Sequence, residues 1–151
     1  MNQRLDRLTQ LWVIKKGLTN TAYQQLLHAQ EQFSKNKEKH DQLVGYRQDY
    51  LQQLETMGEQ GAYVRRLRNR IDFISHLDMA LVQLNGHLAQ LAKVRRSAEL
   101  TYKQAKISEE GVNLLIERVK KTQKSKLNLQ EQKENDEYAQ KQWYSRELND
   151  E

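Results

Sequence analysis

The sequence predicts an all-α protein: a long two-helix antiparallel coiled-coil hairpin whose second helix is longer than its first. Three observations carry this reading. Proline is absent and only six glycines occur in 151 residues, two of them in one cluster. Apolar residues recur at alternating steps of three and four, the spacing of a coiled-coil seam. Charged residues make up 30% of the chain and hydrophobic ones 37%, too polar for a thick core but suited to helices that bury one narrow stripe each. The prevalent Leu, Gln, Lys, Glu, Arg and Ala lose little side-chain freedom in a helix.

The first helix is expected over residues 1–56. Leu5, Leu8, Trp12, Ala22, Leu26, Ala29 and Phe33 follow the seam spacing, with Lys15, Thr19, Asn36 and His40 interrupting it. Beyond residue 40 two adjacent stripes compete: Val44, Leu51 and Leu54 beside Leu43, Tyr46, Tyr50 and Met57. The tip is expected at 57–62, where Gly58 and Gly61 can supply the positive φ of a helix end and a tight connection. The second helix, 63–120, shows the clearer pattern, from Ile74 and Leu77 through Leu88 and Leu91 to Ile116 and Val119. Only Arg95 and Glu109 break about six heptads of it. Folding back near residue 61 makes facing residue numbers total about 123, which sets Leu5 level with Arg118, so the apolar seam ends where the first helix runs out of length. Residues 121–151 then form an overhanging helix or flexible tail. The basic run Arg118, Lys120, Lys121, Lys124 and Lys126 leads into it, and it ends among acids and aromatics.

Chemistry is sparse. With no Cys there is no disulfide framework or thiolate metal site. The histidines His28, His40, His76 and His87 form no i, i+4 pair, so no metal and no cofactor is expected. His40 and His87 fall near one level and read as partly solvated seam positions. No phosphate loop or nucleophile–base pair is present, and a narrow hairpin is expected to lack a catalytic pocket. The chain is therefore read as a non-enzyme. The absence of a signal-type apolar core near the N-terminus and of any membrane-length apolar run points to a cytoplasmic protein. The net charge of +5 (25 basic, 20 acidic) permits acidic partners, but no recognised nucleic-acid module occurs, and no nucleic acid is expected.

Two surface features stand out. Arg65, Arg66, Arg68 and Arg70 follow the tip, where the macrodipole disfavours cations; they are either a solvated first turn or a contact for an acidic partner. Leu43, Tyr46 and Tyr50 are level with Ala80, Leu77 and Phe73. These six are either one apolar-aromatic binding face or a local widening of the core.

The stretches Tyr46–Leu54 (YRQDYLQQL) and Phe73–Ala80 (FISHLDMA), the tip with Gly58 and Gly61, and the acidic-aromatic segment Asn135–Gln140 resemble the flagellar export protein FliJ family. That resemblance implies a component of the flagellar type III protein export apparatus, cytoplasmic and peripheral to the inner membrane at the flagellar base. Its implied partners are the export ATPase ring, the cytoplasmic domain of the membrane export gate, and export chaperones. It places gate binding on Leu43, Tyr46, Tyr50, Phe73, Leu77 and Ala80. It places ATPase contact on the coiled-coil ends, including Arg118, Lys120 and Lys121. The stalk of a virulence type III secretion system and a basic coiled coil that binds nucleic acid stand as the alternatives.

Overall fold

The computed structural model describes residues 2–61 and 63–150. Met1, Ala62 and Glu151, assigned by sequence to the first helix, the tip and the tail, lie outside the described residues. Two helices account for nearly all the rest: α1, Asn2–Glu59, and α2, Val64–Asn149. They pack antiparallel against each other as a hairpin, and α2 is the longer, at 86 residues against 58.

The connection is shorter than the Gly cluster suggests. Met57, Gly58 and Glu59 still belong to α1, and the four residues 60–63 make the connection to α2. Gly61 takes φ +70°, a left-handed conformation that costs an L-residue about 1–2 kcal/mol. The last turn closes with Gln60 N–H donating to Thr56 O (3.1 Å) and Gly61 N–H to Gly58 O (3.4 Å). On the far side, the Tyr63 carbonyl accepts from Arg66 N–H (3.0 Å) and Leu67 N–H (3.3 Å), which starts α2.

The chain divides into two compact units. Unit 1 combines Met1–Leu18 with Ala105–Glu151. Its buried stripe consists of Val112 and Ile116, with Leu5, Leu8, Trp12 and Val119 half-buried. The last seam position to lose exposure is Gln123; every described residue from Lys124 onward is exposed although the helix continues to Asn149. Unit 2, Thr19–Gln104, holds the rest of the core: Thr19, Ala22, Leu26, Ala29, Ile74, Leu77 and Leu88.

Within unit 2 the three-four alternation of α1 does not lapse at its polar members. Thr19 is buried, and Asn36, His40 and Arg47 are half-buried. Asn36 Nδ2 donates back to Gln32 O (2.8 Å). His40 Nδ1 donates to the Asp41 carboxylate (3.1 Å). Of the two competing stripes beyond residue 40, the structure selects Leu43, Tyr50, Leu54 and Met57, with Arg47 completing the spacing, and leaves Val44, Tyr46 and Leu51 outside. On α2, Arg95 is likewise a seam member: its guanidinium lies 4.3 Å from the Phe33 ring centre, an arrangement that keeps the charge near solvent and the stem against apolar surface.

Since no side chain among the described residues is deeply enclosed, single truncations act through the few buried positions. Leu26→Ala is expected to cost about 2–3 kcal/mol, whereas Val82→Ala, on an exposed face, changes stability by less than about 0.5 kcal/mol; urea unfolding followed by helical circular dichroism reads both. A Cβ at Gly58 or at Gly61 would meet nothing within 4 Å, so backbone alone decides. Gly58→Ala, inside α1, is expected to stabilise by about 0.4–1 kcal/mol, and Gly61→Ala to destabilise by about 1 kcal/mol or more.

Candidate binding surface

The expected aromatic face lies wholly in unit 2, and its six members take different roles. Leu77 is core, 7% exposed. Leu43, Tyr50 and Ala80 are half-buried at the seam edge, and Tyr46 and Phe73 are exposed, at 55% and 45%. The Tyr50 and Phe73 rings meet across the two helices with centroids 4.6 Å apart and planes tilted by 40°. Arg70 sits over the Tyr50 ring at 5.1 Å. A shallow hollow beside this pair is lined also by Met57, Arg66 and Asn69. The binding and core-widening readings thus divide by residue: Leu77 packs the core, while Tyr46 and Phe73 lie open to solvent.

One element of this face escaped the sequence reading. Arg47 Nε donates to Asp78 Oδ1 and its Nη2 to Oδ2 (3.5 Å), linking α1 to α2. The Asp78 hydrogen bond and charge hold the Arg47 guanidinium above its ordinary pKa. The signal was the spacing: Arg47 falls four residues after Leu43 and three before Tyr50, a seam position where its charge is met by Asp78 across the interface.

The arginines after the tip separate similarly. Arg65, Arg66 and Arg68 are exposed, whereas Arg70 is half-buried on Tyr50. Arg118, Lys120 and Lys121 are exposed in unit 1, on the stretch where its seam ends.

The sequence suggested no concavity, yet unit 2 carries an open groove of about 720 Å³ lined by Thr21, Gln25, His28, Ala29, Leu91, Val94, Ser97 and Ala98 among others. Small side chains at Ala29, Ser97 and Ala98 leave the space. No Asp, Glu, Lys or Arg lines it, so it has no carboxylate pair for acid–base work. Of the histidine pair, His40 turns to Asp41 and His87 is exposed. Among the described residues, no group of three potential ligands could hold a metal ion, and no helix is long and apolar enough to cross a membrane.

Fold and surface together define a coiled-coil hairpin protein built to present side chains along its flanks. The model of the flagellar FliJ protein family matches residues 3–148, nearly the whole chain, and the protein belongs to that family. It is thus a flagellar, export-related protein. No curated protein and no solved structure matches it significantly.

One local electrostatic feature is open to titration. Hydrogen bonds from His40 first and Lys37 second (each 3.1 Å) hold the Asp41 carboxyl below its usual range. A carboxyl with a lowered folded pKa adds stability above its unfolded value of about 3.9, and this is lost as pH falls through the lowered folded value. Lys37→Met removes one donor and its charge, and carboxyl-carbon NMR is expected to show the Asp41 midpoint moving up toward the ordinary value.

Proposed function

We propose that the chain is an adaptor of the bacterial flagellar export apparatus that binds the cytoplasmic domain of the export gate through the aromatic flank of unit 2. It carries no catalytic step and needs no cofactor; ATP chemistry belongs to the export ATPase ring. That ring meets the hairpin near the seam's end, at Arg118, Lys120 and Lys121, and export chaperones share the exposed helix faces. The work takes place on the cytoplasmic side of the inner membrane at the flagellar base.

The observation that carries this reading is the Tyr50–Phe73 contact with Tyr46 exposed on the same unit. Aromatic side chains offer large contact area at low entropic cost and dominate binding hot spots. Family membership supplies the context. Stiff helices lose little freedom when they dock, so the interface need not be large to be specific, and a modest one suits exchange between partners. Any influence on the state of gate or ATPase has to come from different contacts with each state.

Tyr46 and Phe73 make the cleanest test, since Leu77→Ala would open the core and confuse binding with stability. Tyr46→Ala and Phe73→Ala are each expected to weaken binding to the gate's cytoplasmic domain about tenfold or more, with helical content unchanged, by titration calorimetry. Unchanged affinity in the double variant would refute the assignment.

A further inference from the structure

We infer that the tip of unit 2 docks on a bilayer surface bearing anionic headgroups. Between Gln60 and Ile71 the sequence has four arginines and no acid. Arg70 is engaged with Tyr50, which leaves Arg65, Arg66 and Arg68 exposed. Beside them stand exposed apolar groups: Tyr63 at 80%, Val64 at 70% and Ile71 at 54%.

Folding does not account for these residue types. The Tyr63 carbonyl accepts the first bonds of α2, so Tyr63 occupies the capping position, where Ser, Thr, Asp or Asn would satisfy the open N–H groups. A tyrosine cannot. The first turn of α2 also lacks the acid that would suit its macrodipole. Both ordinary aids to starting a helix are given up for arginine and exposed apolar surface. That combination fits a headgroup layer: guanidinium groups pair with phosphate oxygens in bidentate fashion, and an aromatic ring with apolar neighbours settles at the interface. Duplex DNA would engage the cations but leave Tyr63, Val64 and Ile71 without a role. The other basic run, from Arg118 to Lys126, is flanked by exposed Leu115 and Leu127 but has no aromatic ring, and Val119 is half-buried in the seam. This mode of attachment stands independently of the export partners proposed above.

The test is co-sedimentation of the full chain with phosphatidylcholine vesicles, with and without phosphatidylglycerol. Binding is expected only with the anionic lipid, and to fade with salt. Replacing Arg65, Arg66 and Arg68 together by Gln is expected to weaken it roughly a hundredfold, about fivefold per charge. Tyr63→Ser is expected to weaken binding while raising the thermal midpoint, a split that a purely structural role would not produce. Replacing Arg118, Lys120 and Lys121 by Gln should leave vesicle binding in place. Equal binding to both vesicle types, binding kept in the triple tip variant, or binding to a short DNA duplex but not to vesicles would overturn the proposal.

Discussion

Everything in this protein depends on one narrow seam. Each helix contributes a single stripe at alternating three- and four-residue steps, and none of the described residues is enclosed as in a globular core. Only a handful of side chains, among them Ala22, Leu26, Ile74, Leu88, Val112 and Ile116, fall below a tenth of their free exposure. Hydrophobic burial scales with the area withdrawn from water, so stability accrues along the helices rather than at a centre. This explains why polar members are tolerated. Asn36 satisfies itself on its own helix, Arg47 reaches Asp78 across the interface, and Arg95 lays its charge over Phe33. Each keeps the spacing intact while its polar end finds a partner near the surface.

The same economy sets the proposed binding surface. A two-helix seam covers one stripe per helix, and the flanks remain free to carry recognition. On unit 2 the aromatic group grades from buried Leu77 through half-buried Tyr50 to exposed Phe73 and Tyr46. The Phe73 ring rests on half-buried Tyr50, so a partner that met it would have little order to create on binding. At the tip, Tyr63, Val64, Arg65, Arg66, Arg68 and Ile71 are exposed and lie outside the seam, so their chemistry can vary without unfolding the helices.

Much of this was legible in the sequence. The α2 stripe, the single glycine bend and the level rule defined the hairpin, and the Tyr50–Phe73 contact obeys that rule. What was not legible has a common physical cause: hydrophobicity alone does not register a polar residue that stays in the seam through a partner. Arg95 looked like an interruption because its partner, Phe33, stands on the other helix, and Arg47 drew no notice because its partner, Asp78, does too. For the same reason the choice between the stripes at Val44–Leu51 and Leu43–Tyr50 stayed open until Arg47 was seen to join Leu43 to Tyr50. Gly58 looked equal to Gly61, yet only one positive φ was required. The uncharged groove by Ala29 and Ala98 went unforeseen because small side chains create space that a pattern of apolar letters does not display.

The pairing of α1 with α2 can be fixed chemically. The chain has no cysteine, so thiols placed at Tyr23 and Tyr102, whose rings are 5.5 Å apart, would be the only two present. A short bifunctional maleimide should join them within one molecule at high dilution, giving a species that migrates as a crosslinked monomer. Reaction only between molecules, or none at all while thiols at Tyr23 and a position far along α2 from Tyr102 did react, would contradict the antiparallel seam from which the rest follows.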